Sequence, residues 1–582
     1  MPGDGRADLR RPGPAAHIVQ RLGASDRAGR RSADRLDHLA GQGEGDRAGH
    51  RAGPAGPQRP VPRVARPHRP PDRRPRTRPG AAGRQAGPAQ ARDRRVRRPV
   101  RAADRPRPAG HGHRRGPGPP QLPDRARPGD ARDRRRRREL VPGRGLTRAA
   151  RHVRSLPIRV VLATAGSLGD LHPFLALGRA LQAAGFQAEI ATSAEYRSKI
   201  QAEDLGFHEV GPSLERLRAD LGMDLAQITQ AIAASDVFLF EKIMTPYLAS
   251  ATRQLIAAAN GADAIIGGSF AAGAVMAAEA LDLPFVSVAL QPTVVFSAYD
   301  PPRLPKAPWL APATGGPRLW LNRATIAIGR AATDRWTRPV NAVRRELGLS
   351  LTRDNLFFDA GRRAALSLGL YSPLLGSRQS DAPDNFDVVG YAAYDSDLGG
   401  PASLPPALEA FLEAGPAPLV FTLGSAAVNI PGAFYRESLA CARRLGRRAV
   451  LLVGPDGDAS AADGAADAIA VAYAPYSLLF PRAAVVVHQG GVGTTQQALR
   501  AGRPQIVVPH LADQFDNGAR IARLGVGITM ARAAYRAETA ARALGGLLED
   551  AAMIATAARI GEIAAEEDGA GDAARRIAAL LA

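Results

Sequence analysis

From residue 157 onward the sequence predicts two doubly wound α/β domains in tandem. Short aliphatic and β-branched runs alternate there with amphipathic helical stretches, the pattern of parallel sheets covered by helices on both faces. The alternation breaks once, in a Pro/Gly-rich stretch, and then begins again. Each half carries a glycine-bearing turn just after its opening strand, where folds of this class place their ligands.

The first 150 residues stand apart. They hold 39 Arg and no Lys against 14 Asp and Glu, a surplus of 25 positive charges, whereas the remainder has 39 basic and 41 acidic residues and sums to −2. The net +23 of the chain therefore belongs to this leader. It also lacks Phe, Tyr, Trp, Cys and Asn and has a single isoleucine, Ile18. Without such side chains it cannot bury enough surface to offset chain entropy, and residues 1–154 are expected to be disordered. An arginine run such as 134–138 suits a nucleic acid or an anionic membrane. The same composition is what GC-rich codons yield in a frame not selected for protein, so translation is expected to begin near Val153 and no nucleic-acid partner is expected.

Residues 155–375 read as the first domain. The run 160–163 is a buried first strand, and a helix is expected after Pro173, with Phe174, Leu177 and Leu181 on one face and a stop at Gly185. Further strands are expected at 188–192, near 207–210, at 264–266 and at 285–288. Between about residues 372 and 406, Pro373, Pro383, Gly399, Gly400, Pro401 and Pro405 crowd together, and residues 376–405 are expected to be an inter-domain linker. The second domain, 406–582, opens with a strand at 419–422 and continues with strands at 449–453, 469–472, 485–487 and 506–508.

The most informative stretch is Val487-His488-Gln489-Gly490-Gly491-Val492-Gly493-Thr494-Thr495. It follows a strand and opens a helix, so its glycines let backbone amides approach an anion at the helix N-terminus. Thr494 and Thr495 add hydroxyl donors, and His488 offers a further donor or a positive charge. Beyond the next strand, Asp513-Gln514 is able to accept from and donate to neighbouring sugar hydroxyls, although an aspartate in that place also suits a helix N-cap. Phe421-Thr422-Leu423-Gly424-Ser425 is a strand running into a second Gly-Ser turn.

The stretch 473–527 resembles the donor-binding signature of the family 1 glycosyltransferases, which runs His-His-Gly-Gly-x-Gly-Thr, then Gly-x-Pro, then Pro and an Asp/Glu-Gln pair with Asn nearby. Gly490, Gly491, Gly493, Thr494, Gly502, Pro504, Pro509, Asp513, Gln514 and Asn517 match it. The resemblance implies that the glycine segment holds a diphosphate, that Asp513 and Gln514 hold the sugar, that Tyr473 stacks on the nucleobase, and that Ser425 reaches the phosphates from the other side. Two positions depart from it. Gln489 stands where many members have a phosphate-contacting His, and Gln497 stands where many have a ribose-binding Glu.

In the first half, Gly166-Ser167-Leu168-Gly169-Asp170-Leu171-His172-Pro173 lacks the Gly-x-G-x-x-Gly spacing of a dinucleotide fold, and no acid ends the second strand. It resembles the Gly-Ser-x-Gly-Asp-x-x-Pro loop of sterol, antibiotic and rhamnolipid glycosyltransferases, in which the Asp is the proposed general base. That resemblance makes Asp170 the base and His172 an accessory or packed group. A helix-capping role for Asp170 stays open. The likeness covers the chain from about residue 158, and the stretches 341–349, 418–425 and 513–517 resemble the rhamnosyltransferase subunit of rhamnolipid synthesis.

The resulting expectation is a GT-B fold and an inverting hexosyltransferase, moving a rhamnose- or glucose-type sugar from a dTDP- or UDP-sugar to a small hydrophobic hydroxyl acceptor. No cofactor and no metal is required, since a helix terminus meets the leaving charge and no His/Asp ligand cluster is evident. A nucleotide-sugar epimerase and a non-catalytic nucleotide-sugar binding protein of the same architecture are the alternatives. One cysteine, Cys441, excludes an intramolecular disulfide. With neither a signal peptide nor an apolar run of about 18 residues, the protein is expected in the cytoplasm, with peripheral membrane contact and oligomeric state left open.

Overall fold

The computed structural model describes residues 157–582 apart from 356, 357, 360, 397–401 and 463. The leader 1–154 lies outside the described residues, as do the linker glycines Gly399 and Gly400 and Pro401. All described residues belong to one compact unit.

The first sheet has seven parallel strands in the order β3-β2-β1-β4-β5-β6-β7. These are β1 (Arg159–Ala163), β2 (Gln187–Thr192), β3 (Gly206–Glu209), β4 (Ala264–Gly268), β5 (Phe285–Ala289), β6 (Leu366–Gly369) and β7 (Phe386–Val388). The second has six, β10-β9-β8-β11-β12-β13, from β8 (Leu419–Thr422), β9 (Ala449–Leu452), β10 (Ala468–Val471), β11 (Val485–His488), β12 (Gln505–Val507) and β13 (Gly527–Thr529). Val160, Val161 and Leu162 in one sheet and Val485, Val486 and Val487 in the other are fully buried, because helices cover both faces of a parallel sheet. The strand order reverses between β1 and β4 and between β8 and β11, and a ligand crevice opens beyond the strand ends at such reversals. The turns singled out in the sequence follow β1, β8 and β11, so both reversals carry them.

Three boundaries differ from expectation. Helix α1 (Leu168–Ala183) begins before Pro173 and holds that proline inside, because Ser167 caps it and accepts from the Gly169 amide. The expected linker 376–405 contains β7, whose Phe386 pairs with Ser367 of β6; a three-residue strand between prolines carries no periodicity to read. The last helix, α5 (Gly569–Leu581), does not belong with the second domain. Its Ala573, Ala574 and Ile577 lie in the first domain's core with Leu171 and Phe174 of α1. Glu567 anchors this return by accepting from Ser372 Oγ (2.6 Å) and from the Tyr391 amide (2.9 Å).

Three further helices matter below: α2 (Gly316–Thr333) on the first domain, and α3 (Val492–Arg500) and α4 (Gln514–Leu524) on the second.

Candidate active site

Asp170 is the third residue of α1 and completes a capping box with Ser167. Its Oδ2 accepts from the Ser167 amide at 2.9 Å and from Ser167 Oγ at 3.3 Å. The capping reading is therefore correct for one oxygen, while the side chain also lines a small cleft with Thr164, Gly268, Ser269, Gln291 and Val294. The neighbouring turn is built around this carboxylate. Gly166 has φ +129°, and a Cβ there would sit 2.3 Å from Asp170 Oδ2. Burial pushes the Asp170 carboxyl up to about 6 against the pull of the Ser167 hydrogen bonds.

His172 lies one residue pair further along the same helix and turns elsewhere. Its ring meets Tyr394 edge-on at 5.0 Å, its Nε2 has no hydrogen-bond partner, and burial followed by the Lys199 charge lowers it to about 3. A neutral, packed histidine is the outcome, so of the two readings of His172, accessory group or packed side chain, the geometry supports the packed one and gives it no catalytic place.

In the second domain the turn after β11 holds Gly490 and Gly491, and Gly491 caps α3. Gln489 is 5% exposed and points its amide between two turns. A Cβ on Gly424 would lie 2.2 Å from Gln489 Nε2, and one on Gly491 would lie 2.7 Å from it. The glutamine thus fills the crevice between the Gly424-Ser425 turn and the α3 N-terminus. Its Nε2 donates to Thr494 Oγ1 at 3.4 Å, and its buried Oε1 has no partner. The Thr495 hydroxyl is buried and unpartnered as well. Beside Gly493 there is open space, and the Ser425 side chain is exposed at the mouth.

His488 requires a correction. It is fully buried, its Nδ1 accepts from the Gly490 amide (3.0 Å) and its Nε2–H donates to Gln505 Oε1 (2.8 Å). Burial lowers it to about 4, so it is neutral with both nitrogens engaged. It shapes the turn and offers an anion neither charge nor donor. Gln497, also nearly buried, has no side-chain hydrogen bond among the described residues. The Tyr473 hydroxyl donates to the Asp395 carbonyl, which fixes the ring at the edge of the second sheet. The Asp395 carboxylate accepts from the Ser477 amide and hydroxyl, tying the crossing between domains to the same edge.

Asp513 precedes α4 but makes no cap hydrogen bond. Its carboxylate accepts from Asn517 Nδ2 at 2.7 Å, and the same amide donates to the Gly490 carbonyl at 2.9 Å. Gln514 Oε1 accepts from the amides of His510 (2.7 Å) and Leu511 (3.0 Å), which leaves its NH2 as the donor. Ala512, just before the pair, is held at φ +50°, a left-handed conformation that costs a non-glycine residue energy.

The two domains meet at these carboxylates. Burial and then the charge of Asp170 raise Asp513 to about 7. One turn on, Asp516 accepts from Thr293 Oγ1 (2.9 Å), the Arg303 amide (2.7 Å) and Arg520 Nε (2.7 Å). Arg520, 1% exposed, also pairs with Asp300 and donates to the Leu375 carbonyl at 2.8 Å. Helix α4 thereby holds the segment that supplies Gln291 and Val294 to the cleft beside Asp170. Asp516, Arg520 and Asp395 had no functional reading in the sequence, because their partners lie far away along the chain.

Comparison with known proteins reaches the same architecture. The glycosyltransferase family 28 N-terminal domain matches residues 160–299, and the C-terminal domain of the erythromycin biosynthesis protein CIII-like family matches 450–580. Vancomycin aglycone glucosyltransferase of Amycolatopsis orientalis is 30% identical over 374 residues, spanning 64% of this chain and 85% of the relative. The chain belongs to the GT-B glycosyltransferases. A sterol 3-beta-glucosyltransferase of Emericella nidulans is 28% identical over 440 residues, 72% of this glycosyltransferase and 30% of the larger relative. In fold, the glycosyltransferase is similar to the crystal structure of VinC in complex with dTDP, with TM-score 0.53, 20% identity, and coverage of 73% of this chain and 99% of the other. It is thus an enzyme, a glycosyltransferase like these relatives. Among its described residues no group of three or more His, Cys, Asp or Glu is arranged to hold a metal, and no helix is long and apolar enough to cross a membrane.

Proposed function

We propose that this glycosyltransferase moves a rhamnose- or glucose-type hexose from a dTDP- or UDP-sugar to a hydroxyl of a small lipid-like or natural-product acceptor, inverting the anomeric carbon. The observation that carries the proposal is a pair of half-buried acids from separate domains, both raised in pKa: Asp170 lines the small cleft, and Asp513 lies one turn from Asp516, whose bonds to Thr293 and Arg303 join the domains. A base poised near 6 is matched to taking a proton from an alcohol as it attacks.

In this mechanism the acceptor oxygen enters the cleft at Gln291 and Val294 and gives its proton to the free oxygen of Asp170. The acceptor oxygen, giving up that proton, forms its bond to the anomeric carbon as the bond to the nucleotide diphosphate breaks on the far face. Asp513 and the Gln514 NH2 orient the sugar hydroxyls. The departing diphosphate is met by the amides opening α3, the Ser425 hydroxyl and the Gln489 amide, which supply preorganised positive ends without a metal. Tyr473 covers the base and Gln497 faces the ribose. The dTDP bound to a protein of the same fold and the aglycone and sterol acceptors named for the relatives agree with both substrate classes. The protein works in the cytoplasm, in peripheral contact with a membrane when the acceptor is a lipid.

The test is a mass-spectrometric screen of dTDP- and UDP-sugars against hydroxy-lipid, sterol and polyketide acceptors. Release of nucleoside diphosphate that requires an acceptor, with the acceptor gaining one hexose, is the expected result. Interconversion of the sugar without release, or binding without turnover on every donor, would overturn it.

A further inference from the structure

Helix α2 is built inside out for a helix on a water-facing surface. Of its eighteen residues only Leu319 and Asn322 are buried. Asn322 moors it by donating to the carbonyls of Ala298 and Ala311, both at 2.8 Å. At 100° per residue, Trp320, Leu321, Ala324, Ala327, Ile328 and Ala331 form one stripe on the side away from that mooring. A surface helix ordinarily turns polar residues outward. Here Trp320 is 70% exposed, Ile328 71% and Leu321 37%, and the neighbouring Trp309 is 47% exposed, its indole NH donating to Thr325 Oγ1 of α2 at 3.1 Å. Contiguous apolar surface of this kind marks an interaction site.

The charge around the stripe selects the occupant. Residues 303–333 contain Arg303, Lys306, Arg318, Arg323 and Arg330 and no Asp or Glu, and of these Arg330 is already ion-paired with Asp359. Arg318 and Arg323 are exposed and flank the stripe on its two sides. Tryptophan beside aliphatic residues, bordered by arginine and free of acids, is the composition of a helix that lies in the headgroup region of an anionic bilayer.

We infer that the outward stripe of α2, with Trp309, docks this glycosyltransferase on an anionic lipid surface. The inference deepens the membrane contact proposed above by giving it a surface. The segment that moors α2 at Ala298 also supplies Val294 to the cleft at Asp170, so docking sets the acceptor entrance near the lipid.

The experiment uses the full chain with phosphatidylcholine vesicles, with and without phosphatidylglycerol, carrying brominated acyl chains. Tryptophan emission is expected to be quenched on the phosphatidylglycerol vesicles. The Arg-rich leader cannot give that signal, because residues 1–150 contain no Trp. In the double variant W320S/I328S the remaining tryptophan emission should lose its quenching on those vesicles, a signal that binding through the leader alone does not restore, while transfer to a water-soluble acceptor stays unchanged and reports an intact fold. Absence of quenching on both vesicles, or undiminished quenching in the double variant, would overturn the proposal. So would light scattering that finds a wild-type dimer and a monomeric double variant, which would make the stripe a contact between two copies. Because soluble-acceptor transfer is read separately, failure of docking leaves the transfer reaction standing.

Discussion

Asp170 accepts both Ser167 hydrogen bonds through Oδ2, so proton transfer falls to its other oxygen. Asp170→Asn keeps an acceptor for the helix cap and removes the base. Turnover is expected to fall about 10²- to 10⁴-fold with an unchanged fold by circular dichroism; full turnover would remove Asp170 from the mechanism. In the wild type kcat/KM for the acceptor should rise with pH through about 6, the value to which burial lifts Asp170. Stability should move the opposite way. Asp170 and Asp513 are held at about 6 and 7 in the folded protein against 3.8 ordinarily, so between about pH 4 and 7 the folded chain keeps protons that the unfolded chain gives up. Stability is then lost as pH rises across that window, and Asp513→Asn should flatten the fall in Tm measured across it. The crevice offers a separate test. Gly491 has an ordinary φ of −58°, so Gly491→Ala acts through its contact with Gln489 Nε2; it should raise the donor KM, and Gln489→Ala in the same chain should relieve part of that. At this scale Asp170, Asp513 and Gln514 were legible because each sits in a short motif. His488 was not, because its role is decided by Gln505, 17 residues away.

Helix α4 performs two tasks from two faces. Its first turn carries Gln514 and Asn517 toward the glycine turn, and Asp516 and Arg520, one turn apart, face the other domain. Removing one partner of a buried ion pair costs more than the pair contributes, since a charge is left without compensation. Asp516→Ala should therefore lower stability by about 3 kcal/mol in urea titration, somewhat less than complete isolation of Arg520 because Asp300 stays beside it. It should also raise the KM for the acceptor more than that for the donor, as the Thr293 and Arg303 contacts are lost. Equal effects on both substrates would deny α4 its hold on the acceptor segment. Elements were legible where aliphatic runs are long: β1, β4, β5, β8, β9, β11 and β12 fall within a residue or two of expectation. The strands β6 (LSLG), β7 (FDV) and β13 (GIT) have three or four residues and too little alternation to stand out. Trp309 and Trp320 lie exposed, outside the core, which the sequence could not announce, since burial is a property of the packed surface.

Across the whole molecule the two domains are joined more intimately than a linker implies. The chain leaves the first domain after β7, builds the second, and returns with α5, whose Ala573, Ala574 and Ile577 complete the core beneath α1. Nothing in the last residues announces this, because an amphipathic helix has the same period whichever domain it covers. The consequence is that the N-cap of α1, and with it Asp170, is supported by the end of the chain. Ile577 is fully buried in that core, and Ile577→Ala should cost about 2–5 kcal/mol by transfer and cavity terms together. The loss should appear in the single calorimetric step in which, because Glu567 also bonds Ser372 and Tyr391, the two domains of the wild type unfold together. If the variant melted like the wild type, α5 would not be docked on the first domain. Its role in holding the base against the donor-binding domain would then be lost.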